Sequence, residues 1–203
     1  DRQVAQVLLT HGHPDHAEGA RRFAELAGAP VRALDPALRL GEEGLAGGDV
    51  VDVDGMELQV VATPGHTGDS LSFLLPARPG DAARLLTGDT VLGRGTSVVA
   101  HPDGRLRDYL DSLRRLRDLA AGDGALEVLP GHGPVLPDAL AVLEHYLRHR
   151  EERLDQVRAA VAAGDRTARE VVERVYADVD RAVWPAAELS VRAQLEYLGV
   201  APA

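Results

Sequence analysis

The segment 11–16 constrains the chain more than any other, because it places three imidazoles and one carboxylate within six positions. An apolar run over 4–10 predicts a short buried strand that ends at this segment, and a helical pattern follows over about 17–27. Side chains at alternate positions of an extended stretch point to one side, and the turn brings the last donor beside them. The segment therefore offers four converging donors: His11, His13, Asp15 and His16.

Three further donors follow predicted strands in the same manner. His66, Asp89 and His132 lie in the glycine-rich turns PGHTG, TGDT and PGHGP. Glycine lets the backbone turn tightly at such positions. A zinc ion takes about four ligands, and two bridged zinc ions need more than the opening segment supplies. The seven residues together therefore predict a site for a pair of metal ions.

Predicted strands and helices both occur up to about Leu136, and the pattern after this residue is helical. Asp54-Gly55 between two strands is typical of a type I′ hairpin. Predicted strands cover 50–53, 56–62, 71–75, 84–87 and 126–129, and predicted helices cover 105–120, 138–163, 167–177 and 185–198. We predict an α/β or α+β catalytic body over 1–136 and a helical C-terminal region over 137–203.

Composition excludes several classes of protein. The chain has no Cys, which rules out disulfides, thiolate metal ligands and Cys nucleophiles. The formal charge of −10 opposes a general nucleic-acid-binding surface. No stretch is long and apolar enough to suggest a membrane span, and we expect a soluble, cytoplasmic protein. All the basic residues are Arg, which is typical of GC-rich bacterial genomes.

The pattern His-x-His-x-Asp-His, followed by His, Asp and His, resembles the metallo-β-lactamase fold superfamily. The resemblance extends to TPGHTGDSLSFLL, LLTGDTVLGRGTSVV and LPGHGP, which look like the bacterial branch related to the mitochondrial lactamase-like endoribonuclease. It implies an αββα sandwich with a winged-helix-like tail from about residue 165. Family members open with several strands before the first metal motif, so we expect those N-terminal strands to be missing here.

The resemblance also implies roles for the seven donors. His11, His13 and His66 would hold a first zinc ion, Asp15, His16 and His132 a second, and Asp89 would bridge both. Asp15 would in addition orient the attacking water. Iron or manganese could replace zinc in such a site. The implied activity is hydrolysis of an ester, thioester or phosphodiester by a metal-activated water.

Three functions stay open at this point. Single-stranded RNA cleavage resembles the activity of the related branch, and a glyoxalase II-like thioesterase acting on a small molecule is its rival. A non-catalytic binding module that keeps the fold is the third. The acidic net charge favours a small substrate over RNA.

Other polar residues have simpler interpretations. His145 and His149 lie four apart on a predicted helix without an acidic partner, which favours a solvated or pocket-rim role over a metal site. His101 is most simply a loop residue. Six arginines on two predicted helices alternate with acidic residues, which favours a solvated helix face. They are Arg114, Arg115, Arg117, Arg148, Arg150 and Arg153. The hydroxyls of Thr10, Thr67 and Thr90 are candidates for orienting the donors next to them.

Overall fold

A computed structural model describes residues 3–122 and 126–200. The first two residues of the predicted catalytic body, residues 123–125 and the last three residues of the predicted tail lie outside this range. The described residues form two sheets and six α-helices, and the mixed α+β architecture predicted from the sequence is confirmed.

The larger sheet has five strands in chain order. They are β3 (Val50–Val53), β4 (Met56–Ala62), β5 (Leu71–Leu75), β6 (Ala83–Gly88) and β7 (Leu126–Pro130). Neighbours are antiparallel except for the last pair, β6 and β7, which is parallel. The β3–β4 turn has positive φ at both Asp54 and Gly55, as a type I′ turn requires. Strands β4, β6 and β7 consequently run in one direction and end at the same edge of the sheet.

The smaller sheet pairs β1 (Val7–Leu8) in parallel with β2 (Val31–Arg32). Two helices, α1 (Pro14–Ala17) and α2 (Ala20–Ala27), connect these strands. The prediction of one helix over 17–27 was wrong, because α1 begins earlier, directly after His13, with Pro14 as its first residue. The second half of the opening segment is thus helical rather than extended.

The five-stranded sheet is buried on both faces. Leu85 and Val128 face a cluster that includes Tyr109 and Leu113, whereas Val60 belongs to the cluster on the other side. Tyr109 and Leu113 lie on α3 (Leu106–Gly122), whose predicted range was 105–120. Full burial of a leucine side chain stabilises a fold by about 1.5–3 kcal/mol, so this face fixes α3 against the sheet.

The C-terminal region is helical, as predicted. Helix α4 (Ala139–Ala162) contributes Leu143 to the sheet-side core and Val157 to a second core formed with α5 (Ala168–Val175) and α6 (Trp184–Tyr197). A capping box between Thr167 and Glu170 begins α5. Because α4 is shared between both cores, it joins the helical region firmly to the sheet. The division of the chain at residue 136 stays a prediction.

Among the described helices, none combines the length and apolarity needed to cross a lipid bilayer.

Candidate metal centre

Five segments place the predicted donors at one edge of the fold. His11 and His13 follow β1, and Asp15 and His16 lie in α1. The other three residues follow the aligned ends of three strands: His66 after β4, Asp89 after β6 and His132 after β7. All seven side chains predicted from the sequence therefore meet, although 121 positions separate the first from the last.

Three imidazoles form the deeper part of the cluster. The Nδ1 atom of His13 lies 3.1 Å from His11 Nε2 and 3.1 Å from His66 Nε2. His11 is 2% exposed and His66 is 9% exposed, so two of the three rings are shielded from water. These three nitrogens form one group with the spacing of a potential cation site.

A second group is more open to solvent. His132 Nε2 lies 3.2 Å from His16 Nε2 and 3.1 Å from Asp15 Oδ2. The side chains of His132 and Asp15 are 52% and 59% exposed, respectively. A molecule from solution would therefore approach the cluster from this side.

Asp89 lies between the two groups. One carboxylate oxygen, Oδ1, is 3.3 Å from His16 Nε2, and the other, Oδ2, is 3.5 Å from His132 Nε2 and 3.8 Å from His66 Nε2. Oδ1 is buried and has no hydrogen-bond partner within the part of the chain that the structure describes. A buried carboxylate oxygen in this position needs a cation or another donor to offset its desolvation.

The geometry fits metal ions better than hydrogen bonds alone. The edge of a tetrahedron with metal–nitrogen bonds of about 2.0–2.1 Å is about 3.3 Å, close to the separations between the imidazole nitrogens. His66 Nδ1 contacts the Val98 carbonyl oxygen at 2.7 Å, so it carries the proton and Nε2 is left with a lone pair. The Nδ1 atom of His13 carries at most one proton, so it cannot donate to both His66 and His11. A cation between the three nitrogens would remove this conflict.

The electrostatic environment favours the metal-binding forms of three donors, His11, His66 and Asp15. Burial, followed by the neighbouring imidazoles of His16, His66 and His13, lowers the pKa of His11 to about 3. Burial also lowers the pKa of His66. Desolvation raises the pKa of Asp15, but its own backbone N–H and then His16 and His132 outweigh this, and the net shift is downward. Neutral imidazoles and an ionised carboxylate are the forms that bind cations.

Two loop residues that the sequence did not single out support the donors. Ser97 Oγ donates to the Asp89 carbonyl oxygen at 2.6 Å and lies 3.2 Å from His66 Nδ1. Val98 supplies the carbonyl oxygen that accepts from His66. A single serine in a loop carries no distinguishing pattern, so only the folded structure could reveal this contact.

Of the three threonines proposed to orient donors, one contacts a donor. Thr10 Oγ1 lies 3.1 Å from His11 Nδ1. The prediction was wrong for Thr67, whose hydroxyl binds Asp69 and Ser70, and for Thr90, whose hydroxyl binds Thr63. Adjacency in sequence does not fix where a hydroxyl points.

Replacing Ser97 with Ala is expected to weaken metal binding by about 10–100-fold, the usual cost of removing a group that orients a ligand. The Asp89 loop and the His66 ring would lose their common hydroxyl partner. Metal affinity, measured by competition with a chelator, tests this expectation. The neighbouring hydroxyl of Thr96 provides the matched control, and equal affinities for S97A and T96A would contradict the role given to Ser97.

The remaining histidines lie outside the cluster. His145 and His149 stack on each other with ring centroids 6.3 Å apart, and each lines a separate surface pocket, in agreement with a pocket-rim role. His101 lies in a loop, 3.7 Å from Glu196. The prediction of a solvated face was wrong for Arg150, which is only 5% exposed because its guanidinium packs over the Tyr109 ring.

Comparison with known proteins agrees with this architecture. Residues 1–132 match the metallo-beta-lactamase superfamily, and residues 167–199 match the beta-lactamase associated winged helix domain. The chain therefore belongs to the metallo-beta-lactamase superfamily, and its C-terminal helices correspond to the winged-helix domain that accompanies some members.

Two curated relatives illustrate the range of the family. The chain is 32% identical over 203 residues to a beta-lactamase-like protein 2 homolog of Caenorhabditis elegans, covering 96% of this chain and 65% of the relative. It is 34% identical to an atrochrysone carboxyl ACP thioesterase of Aspergillus fumigatus, covering 86% of this chain and 56% of the relative. The chain thus spans between about half and two thirds of the length of these proteins.

Solved structures show the same fold. A metallo-beta-lactamase family protein from Thermus thermophilus superimposes with a TM-score of 0.77 and 26% identity, covering 97% of this chain and 74% of that protein. A second structure, described as a di-iron-bound form, gives a TM-score of 0.51 and 26% identity, covering 66% of this chain and 73% of that protein.

Proposed function

We propose that this protein is a metal-dependent hydrolase with a dinuclear centre. His11, His13 and His66 would hold one cation, Asp15, His16 and His132 the other, and Asp89 would contact both. The observation that carries this proposal is the convergence of seven donors. Six of them form two groups of three, and Asp89, which groups with His11 and His16, has a buried oxygen without a hydrogen-bond partner among the described residues. Imidazole and carboxylate ligands suit zinc, and the di-iron form of a structural neighbour makes iron the alternative.

Divalent cations held by these residues would lower the pKa of a bound water and would polarise the oxygen under attack. The protein's own contribution to catalysis would come from the solvent-exposed side of the metal centre, where Asp15 lies. Asp15 is exposed and carries a lowered pKa, so at neutral pH its carboxylate can accept a hydrogen bond from a water and orient it. The buried imidazoles would exclude solvent from the opposite side.

We propose a thioester as the substrate class. One curated relative is named as a thioesterase acting on an acyl carrier protein. The net charge of −10 also disfavours binding of a polyanion such as RNA. A small-molecule thioester, an ester of similar size and single-stranded RNA are the substrates to be compared directly.

The assay compares hydrolysis of the thioester S-lactoylglutathione, an oxygen ester of similar size and labelled single-stranded RNA by the zinc-loaded chain. We expect release of thiol from a thioester, and we expect Asp15→Asn to lower its rate by about 10²–10⁴-fold, the usual contribution of a positioned acid or base. Asp118→Asn removes a carboxylate that is 68% exposed and paired with Arg117, and it serves as the matched control.

Each outcome of this assay has a consequence. RNA cleavage without thioester hydrolysis would overturn the thioester proposal in favour of a nuclease. Equal rates for D15N and D118N would contradict the role of Asp15. Absence of turnover on all substrates by zinc-loaded and iron-loaded protein would favour a non-catalytic binding module.

A further inference from the structure

A small pocket lies where the loop after Asp89 meets the C-terminal helices. Its volume is about 200 Å³, and its walls come from the 96–98 loop, from α4 and from residues between the end of α5 and the middle of α6. The basic side chains that line it are His149, Arg150 and Arg153, whereas none of the carboxylates in the described part of the chain does so. A pocket with two arginines and no acid is unusual in a protein whose formal charge is −10.

Arg150 is the most deeply placed of these cations. It is 5% exposed, donates from Nη2 to the Ser97 carbonyl oxygen and lies 4.8 Å above the Tyr109 ring centroid. Its Nε has no acceptor among the described residues. Arg150 is also absent from the ion pairs that arginines form with carboxylates of those residues. A buried cation without a counter-charge is costly, so an anion nearby would stabilise it.

Arg153 has only neutral partners as well. Its Nη1 donates to Gln156 Oε1 at 2.8 Å and to the Val175 carbonyl oxygen at 3.4 Å, and its guanidinium lies 4.4 Å from the Tyr176 ring centroid. Glu152, on the same helix, acts electrostatically on His149 but does not line the pocket. The positive charge at the pocket is therefore not offset by its lining.

A second cleft in the C-terminal region provides a contrast. It is larger, about 760 Å³, and is also lined by arginines. There, however, Arg169 forms ion pairs with Glu188 at 2.9 Å and with Glu173 at 2.8 Å. Eight arginines of the described residues form such ion pairs, and the two arginines of the smaller pocket are not among them.

We propose that the pocket between the 96–98 loop and α4 binds an oxyanion, either a carboxylate or a phosphate group. Arg150 supplies the buried charge, and Arg153 supplies a more accessible one. Guanidinium groups match the planar or tetrahedral oxygens of such ligands. The inference does not depend on hydrolysis at the metal centre, since it rests on different residues.

The pocket shares its loop with the metal centre. Ser97 receives the bond from Arg150 through its carbonyl oxygen and binds the Asp89 carbonyl through its hydroxyl. An oxyanion at Arg150 would consequently lie beside the loop that supports Asp89 and His66, in a pocket that none of the seven donors lines.

Isothermal titration calorimetry of the full chain with inorganic phosphate, and separately with acetate, tests the proposal. We expect at least one of these anions to bind one site per chain. Arg150→Met keeps the apolar stem over Tyr109, and Arg153→Gln changes a more accessible residue, so the second variant keeps the test valid if the first fails to fold. Each is expected to weaken binding by about tenfold or more.

Two controls separate this pocket from other anion sites. Arg148→Met removes an exposed arginine of the same helix that does not line the pocket, and it should bind as the wild type does. His132→Ala disrupts the candidate metal centre, and oxyanion binding should persist in it. The proposal is overturned if neither anion binds with a Kd below about 10 mM, if R153Q binds like R148M, or if H132A abolishes binding.

Discussion

Asp89→Asn is expected to reduce the metal content of the chain from two cations to one or fewer and to lower the hydrolytic rate by more than about 100-fold. Loss of a residue that merely orients a ligand costs about 10–100-fold, and loss of a direct carboxylate ligand should exceed this. Asn preserves the shape of the side chain but replaces the buried, unpartnered oxygen and its charge. Metal analysis by mass spectrometry after dialysis, with thioester turnover on the same samples, measures both effects.

Asp81→Asn is the matched control for D89N. Asp81 lies just before strand β6, whereas Asp89 lies just after it. The Asp81 carboxylate pairs with Arg84 at 2.6 Å. Its replacement should leave metal content and turnover unchanged. If D89N retained two metals and wild-type turnover, Asp89 would not lie between two bound cations.

Gly65→Ala is expected to destabilise the protein by about 2–5 kcal/mol. Gly65 has φ of 134°, which disfavours any residue with a side chain, at a cost of about 1–2 kcal/mol. A Cβ there would also come within 2.3 Å of the Tyr109 backbone at the start of α3, and relief of such overpacking costs about 1–3 kcal/mol more. Urea unfolding followed by circular dichroism gives the change in free energy.

Gly80→Ala separates the two contributions. Gly80 has φ of 83° in an exposed loop, and a Cβ there would meet no atom within 4 Å. It should cost only the conformational part, about 1–2 kcal/mol. Equal destabilisation by G65A and G80A would show that the contact between the turn before His66 and α3 is not close in solution.

The donors could be predicted because their signal is chemical and local. His11, His13 and Asp15 stand out by composition alone, and the glycines around His66 and Asp89 mark turns after apolar runs. Strand direction then brings the distant turns together, since parallel strands end at one edge. Whether these residues bind metal stays a prediction until it is measured.

Other features could not be predicted, for identifiable reasons. Strand β2 has only two residues, fewer than any hydrophobic periodicity requires. The burial of Arg150 depends on the Tyr109 ring and on a loop 53 residues away, neither of which a helical charge pattern reveals. The contact between the Ser97 hydroxyl and the Asp89 carbonyl depends on how the loop between them folds, which the sequence pattern does not reveal.

The branch related to the mitochondrial endoribonuclease and the cytoplasmic location also stay predictions. The superfamily relationship is independent of both, because it rests on matches across residues 1–132.

Anomalous diffraction at the zinc edge from crystals of the zinc-loaded chain tests the central claim most directly. The account predicts two peaks at the candidate centre, one within about 2.0–2.2 Å of the donor atoms of His11, His13 and His66 and one at the same distance from those of Asp15, His16 and His132, with Asp89 contacting both. Zinc bound only elsewhere, or no zinc at these side chains, would contradict it.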